Sequence, residues 1–400
     1  MRLIYLHQYF NTPSMSGGTR SFEMARRLVD AGHEVQMVTS DRNGRGKAYR
    51  SVEAGIHVTW IPVRYSNSMN FSDRIRAFFE FAWKSARIAT RLEGDLVLAS
   101  STPLTIAIPG VYASKQKRIP MVFEVRDLWP EMPIAMGALR NPVSRYLARR
   151  LERFAYQNAD WIIALSPGMK NGVVSSGYPE DRVTVIPNSC DIELFAVGDG
   201  ARRSFRESFD WLGDRPLVVY VGTLGLVNGV GYLAHLAKEV LRKDPEVRFL
   251  VVGQGKEEAQ IRNTAQQLGV LNRNFFMIPN VAKNEVPTIL AAADLATSLF
   301  IDVAEMEANS ANKFFDAIAA GRPVAINYGG WQEELLKSTG AGIRLDSRNI
   351  GRAAEVLLTF ISDRCRMENA SHAARLLATN RFNRDKLAKD FEQVLLNVLR

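Results

Sequence analysis

Short apolar runs alternate with helix-period segments along nearly the whole chain, and this rhythm restricts the fold more than any single motif does. Apolar runs of roughly four to eight residues, bounded by turn residues, read as strands buried on both faces. Helical segments between them supply the covers, which is the arrangement of a parallel α/β sheet. A first series predicts strands at 3–7, 35–39, 56–62, 95–99, 120–125, 161–165 and 183–186, with a helix at 21–31 ending at Gly32. A second series predicts strands at 217–221, 248–252, 274–278, 295–300, 323–326 and 342–345. Each series is long enough to form a doubly wound domain. The break falls in Pro187-Asn-Ser-Cys-Asp-Ile-Glu-Leu-Phe195, so domains are expected at 1–187 and 188–385.

Four hundred residues suffice for two full cores. Cys190 and Cys365 cannot make a disulfide framework and are expected to be reduced thiols in a cytoplasmic protein. The N-terminus lacks a signal-peptide pattern, and no stretch approaches the roughly twenty apolar residues that span a bilayer. A soluble chain is expected, one that at most lies on the inner face of the plasma membrane. The net charge of +9 favours phosphates, acidic lipid or nucleic acid as company. No RNA-binding aromatic motif or zinc-finger spacing supports nucleic acid.

The most informative stretch is Glu305-Met-Glu-Ala-Asn-Ser-Ala-Asn-Lys-Phe-Phe-Asp-Ala-Ile-Ala-Ala-Gly-Arg-Pro323. It reads as a loop feeding a short helix, which Asn309 or Ser310 caps, Gly321 ends and Pro323 stops. Lys313 and Asp316 share one edge of that helix. A lysine in a first turn opposes the helix dipole, which favours anions there. An anion bound by both the lysine and the free N–H groups explains it. A weak Lys313–Asp316 pair on a solvated helix edge explains it too.

Three other phrases place polar groups at strand ends. Gly17-Gly18 lies between the first strand and first helix, where backbone can approach a ligand, though the three spaced glycines of a dinucleotide site are missing. Phe123-Glu-Val-Arg-Asp-Leu-Trp-Pro-Glu131 begins as a strand and sets Arg126, Asp127 and Glu131 at its carboxyl end, where open α/β sheets bind ligands. Val221-Gly-Thr-Leu-Gly-Leu-Val-Asn-Gly229 follows a strand and opens a helix, so its N–H groups can cradle phosphate.

The phrase Asp316-Ala-Ile-Ala-Ala-Gly-Arg-Pro323 resembles the Glu-Ala-Met-Ala-Ala-Gly-x-Pro helix of retaining glycosyltransferases of family 4. The break 187–195 is similar to that family's linker. Phe123–Glu131 and Asn309–Asp316 resemble the branch that builds bacterial O-antigen and capsule chains. The resemblance implies an α/β GT-B fold: two Rossmann-like domains facing across a cleft, with the final segment 386–399 packing back on the first domain. It implies that Asp316 holds the ribose hydroxyls of a nucleotide-sugar donor. Gly17, Gly18, Gly222, Thr223, Asn228, Val281 in the base-binding loop, Glu307, Asn309, Ser310, Ala311, Asn312 and Lys313 become donor-binding candidates. Arg126, Asp127, Glu131 and Lys313 become candidates for the chemistry. Three departures stand out. Ala308 occupies the position of a usual second glutamate, with Glu307 out of register. Arg126 replaces a common histidine. Thr223 and Asn228 replace the arginine and lysine that clamp the diphosphate, which points to Lys313 as the substitute cation, with Arg126 as another candidate.

The implied activity is retaining transfer of a sugar from a nucleoside diphosphate, UDP in the first instance, to a lipid-linked saccharide in surface polysaccharide synthesis. No metal or other cofactor is expected, since no Asp-x-Asp triplet is present. A nucleotide-sugar epimerase and a catalytically silent assembly partner are the alternatives. The stretch 71–87 interleaves aromatics with Arg74, Arg76, Lys84 and Arg87, and a second basic run spans Arg140 to Arg153. Such helices suit either an anionic membrane surface or core packing.

Overall fold

The computed structural model describes residues 1–15, 17–44, 46–66 and 69–400. Ser16, inside the glycine turn singled out above, lies outside the described residues. Strands β1 (Arg2–Leu6), β2 (Glu34–Asp41), β3 (Tyr49–Glu53), β4 (Ile56–Pro62), β5 (Leu96–Ser100), β6 (Met121–Val125), β7 (Trp161–Ala164) and β8 (Val183–Val185) form one sheet. Its order is β3-β4-β2-β1-β5-β6-β7-β8. Strands β9 (Leu217–Val221), β10 (Arg248–Val252), β11 (Phe275–Ile278), β12 (Leu295–Ser298), β13 (Val324–Ile326) and β14 (Gly342–Arg344) form the other, ordered β11-β10-β9-β12-β13-β14. β5, β6 and β10 are buried at every residue, as central strands covered on both faces must be.

β3 was not expected. Its sequence, Tyr-Arg-Ser-Val-Glu, is polar and largely exposed, and it pairs antiparallel with β4 at the sheet edge. Ala54 and Gly55, with φ of 49° and 79°, form the two-residue turn between them. All other neighbouring strands run parallel.

The chain crosses between the sheets near Cys190 and returns near Asn383, and the two crossings are hydrogen-bonded to each other. Cys190 N–H donates to Phe382 O at 2.7 Å, and Arg384 N–H to Cys190 O at 3.0 Å. After the return, the helix Arg384–Val398 lies on the first helix, Arg20–Asp30. Arg27 meets Asp385 at 2.6 Å and His33 meets Glu392 at 2.7 Å. Among the described residues no helix is long and apolar enough to cross a membrane.

The basic-aromatic segment is the helix Phe71–Ala89, capped by Asn70. It serves two surfaces. Ala77, Phe78, Phe81 and Ala82 are buried, while Phe71, Phe79 and Trp83 face solvent. Its cations divide likewise. Lys84 donates to Pro62 O and Glu80, and Arg74 stacks over Tyr65, but Arg76 and Arg87 are exposed.

Candidate functional site

In the first sheet the connections diverge between β1 and β5, the switch point where open α/β sheets leave a crevice. Four charged groups gather at these strand ends. Arg20, opening the first helix, donates to Glu124 at 2.9 Å and to the carbonyls of Ile186 and Pro187. Ser100 Oγ donates to the other oxygen of Glu124 at 2.5 Å. Burial would raise Glu124, but the charges of Arg20 and Arg126 and these hydrogen bonds outweigh it and hold the carboxyl below its usual range. Both members of the Arg20–Glu124 pair are almost fully buried. Asp127 accepts from Thr102 Oγ1 at 2.6 Å, and burial raises its pKa despite that bond and Arg126. Arg126 does not pair with Asp127. Its guanidinium donates to His7 Nε2 at 3.0 Å, and Ser101 Oγ accepts its backbone N–H.

In the second sheet the short helix Asn312–Ala319 lies beside the loop after β9. The expected cap is corrected. The helix begins at Asn312, and the cap position is Ala311, which has no side chain able to bond the first turn. Ser310 is taken up elsewhere, since its hydroxyl and carbonyl accept from Asn188 N–H and Nδ2. Asn309 O accepts from Trp331 Nε1 at 2.8 Å. The C-terminus follows the sequence: Gly321 has φ +64°, with Gly321 and Arg322 N–H bonded to Ile318 and Ala317 carbonyls.

Lys313 is half-buried in the first turn of this helix. Its ammonium donates to Asn228 Oδ1 at 2.6 Å and lies 5.2 Å from both the Tyr220 and Phe300 ring centroids. No carboxylate pairs with it among the described residues, and burial lowers its pKa to about 8. The expected Lys313–Asp316 pair does not form. Asp316 instead accepts from Lys283 Nζ at 2.6 Å, with both side chains under one-fifth exposed. Asn228 also donates to Thr223 O at 2.9 Å, so the two residues standing where relatives carry cations form one bonded unit beneath Lys313. Gly222 lies beside it with φ +154°, a backbone conformation that side chains rarely adopt, and its Cβ position is 3.4 Å from Lys313 Cε.

The two halves touch at this place. The Cβ position of Gly18 lies 2.9 Å from Asn312 Nδ2, so the first-domain loop and the helix start come together here. Gly17, with φ +126°, abuts Asn11. Ser166 Oγ donates to Ala308 O at 2.5 Å, and the helix Glu131–Ala135 packs on the segment Ala304–Ala308. Other expected residues sit further out. Glu131 opens that short helix rather than ending β6, and its nearest cation is Arg149 at 3.9 Å. Glu307 is exposed and rests over Gly329. Thr223 is exposed, and Val281 packs partly buried against the core. Sequence reasoning missed His7, Lys283, Tyr220 and Phe300.

Two family models match the chain: a glycosyl transferase 4-like domain over residues 17–189 and glycosyl transferases group 1 over residues 201–377. WcaI of Escherichia coli (strain K12), named for colanic acid biosynthesis, is 24% identical over 310 residues, spanning 73% of this chain and 74% of its own. The GDP-mannose-dependent alpha-(1-6)-phosphatidylinositol monomannoside mannosyltransferase of Mycobacterium tuberculosis is 26% identical over 249 residues, 62% of this chain and 63% of its own. Among solved structures, Anabaena HepE in complex with UDP and glucose superposes with a TM-score of 0.74 at 19% identity, over 99% of this chain and 100% of that one. WaaG, a glycosyltransferase involved in lipopolysaccharide biosynthesis, superposes with 0.71 at 17% identity, over 98% and 99%. The chain belongs to glycosyltransferase family 4 and has the GT-B fold, with two Rossmann-like α/β domains.

Proposed function

We propose that the protein moves a sugar from a nucleoside diphosphate to a hydroxyl of a lipid-linked saccharide, with retention at the anomeric carbon and without a metal. The observation that carries this reading is Lys313. It is a half-buried ammonium whose only hydrogen-bond partner among the described residues is a neutral amide oxygen, in the first turn of an uncapped helix at the contact between the two halves. As the nucleoside diphosphate leaves, negative charge grows on its β-phosphate. A desolvated cation and fixed N–H dipoles stabilise that charge more than they would in water. The acceptor hydroxyl attacks on the same face and passes its proton to the departing phosphate oxygen. No protein nucleophile is required, and Asp127 and Glu131 remain candidates for orienting the sugar or acceptor.

UDP is the first donor to test, since HepE was solved with UDP; the mycobacterial relative is named for GDP-mannose, so the base has to be measured. A lipid-linked acceptor fits the exposed side of the helix Phe71–Ala89, where Phe79 and Trp83 stand among the exposed cations Arg76 and Arg87. Surface polysaccharide synthesis at the inner face of the plasma membrane is the corresponding role.

The experiment is a binding panel of UDP-, GDP- and CDP-sugars on the parent and on Lys313→Met, followed by single turnover with lipid extract as acceptor source. Saturable binding of one nucleotide class, with slowed transfer in the variant, is expected. No binding to any nucleotide-sugar, or equal turnover in both proteins, would overturn the reading.

A further inference from the structure

His7 directly follows β1 at the switch-point crevice and is 3% exposed. Its Nδ1 lies 2.7 Å from Ser21 Oγ and its Nε2 lies 3.0 Å from Arg126 Nη1. A guanidinium can only donate, so Nε2 must carry the lone pair and Nδ1 the proton, which goes to Ser21. Burial, with Arg126 and Arg42 as the neighbouring charges, holds the imidazole well below its ordinary pKa. The ring is therefore a fixed, neutral acceptor.

The carboxylates near Arg126 are already engaged. Glu124 takes Arg20 and Ser100, and Asp127 takes Thr102. The Arg126 side chain makes no other hydrogen bond to the described residues and is half-buried. A half-desolvated cation whose one hydrogen-bonded partner is neutral gains further when a ligand brings an anion to its remaining N–H groups. A guanidinium is also planar and forked, so fixing one N–H sets the direction of the other four.

We infer that His7 is a positioning residue, whose Nε2 lone pair holds the Arg126 guanidinium at the crevice so that its remaining N–H groups meet the anionic oxygens of the bound nucleotide-sugar. This rests on the reading of the cleft given above. His7 touches no substrate itself.

Two near-isosteric variants separate this role from packing. His7→Gln can set an amide oxygen where Nε2 stood and keeps an acceptor for Arg126. His7→Asn reaches only as far as Nδ1, facing Ser21, and leaves Arg126 without one. Single-turnover rate with the best nucleotide-sugar is expected to fall roughly 10- to 100-fold in His7→Asn and less than about threefold in His7→Gln, at similar melting temperatures. Adding His7→Asn to Arg126→Lys should slow transfer little beyond Arg126→Lys alone, because both remove one interaction. Equal losses in the Gln and Asn variants, losses that track melting temperature, or fully additive effects would overturn the inference. If His7→Asn does not fold, Arg126→Gln carries the test, and parental turnover there is equally fatal. A slow Lys313→Met beside equal Gln and Asn variants sinks only the role of His7. A parent that binds no nucleotide-sugar sinks the cleft reading and this inference together.

Discussion

Two desolvated cations face each other in meaning, the buried Arg20 in the first domain and the half-buried Lys313 in the second. Arg20 is well compensated: a carboxylate and two carbonyls take three of its five N–H groups, and the carboxylate's other oxygen is capped by Ser100. Lys313 has one neutral oxygen and two aromatic faces. Removing charges from water is expensive in both places, and only the first is compensated within the protein. The first arrangement is therefore complete within the fold, and the second leaves the cation that the proposed function assigns to a bound anion. Burial does not by itself say which of them a ligand would complete. The inventory of partners does.

The comparison breaks most visibly in stability. Arg20→Met should lower unfolding free energy by about 3–5 kcal/mol, because Glu124 is left buried and unpaired. Urea denaturation measures it, and a loss below about 1 kcal/mol would remove the distinction from Lys313. Lys313→Met should do the reverse, leaving the melting temperature unchanged or slightly raised. Burial depresses this lysine in the folded state, so its charge opposes folding at neutral pH. Its cost appears in single-turnover rate, about tenfold to a thousandfold, as for one oxyanion-type donor. Asp316→Asn lies between the two. It should cost about 1–3 kcal/mol of nucleotide affinity by isothermal titration. It should also lower the melting temperature, since Lys283 loses its partner in a pair that is mostly buried.

The fourth prediction follows from protonation. Burial lowers Lys313 to about 8, so it is mostly protonated below about pH 8 and mostly neutral well above it, while a bound diphosphate would favour the charged form. Donor affinity should therefore be flat up to about pH 8 and then fall, approaching tenfold per pH unit. Lys313→Met should be weak throughout and lack that bend; a parent without the bend would show that the ammonium does not meet the donor. The smallest effect concerns the proposed membrane contact of the helix Phe71–Ala89. Arg87→Gln should weaken binding to anionic vesicles by about 1 kcal/mol and reduce its salt dependence. Lys84→Gln should change it less, because Lys84 is tied back to Pro62 and Glu80. Equal effects from both would mean that exposure does not govern the contact.

The parts of this fold that were legible in sequence are those whose burial is uniform. β5, β6 and β10 are apolar because both faces are covered, and a run of such residues has few other readings. β3 escaped because an edge strand needs no apolar run, and because Ala54, at φ 49°, stands where a hairpin turn is usually announced by Asn, Asp or Gly. In the site, the residue types at positions 313, 316 and 126 were visible, but their partners were not. Asp316 chose Lys283, 33 residues away, over Lys313 on its own helix, and Arg126 chose His7, 119 residues away, over its neighbour Asp127. Spacing on one element tells which pairs are possible. Only the assembled sheets decide which pair is closer. His7 carried no signal of its own, since a lone histidine after a strand has no pattern to test.

The paired crossings at Cys190 and Phe382–Arg384 also set how the two sheets can move. A single covalent thread would let the halves swivel freely about their connection. Two threads stitched side by side make a tape, which folds easily across its width but resists being wrung. The stitching extends to side chains, since Arg384 donates to Ser189 O at 3.0 Å and reaches Asp191 at 3.3 Å. At the near end the tape is clamped, because Arg20 grips the carbonyls of Ile186 and Pro187. Any parting of Gly18 from Asn312 must then proceed like a book opening on its spine, and the same pages meet again each time it closes.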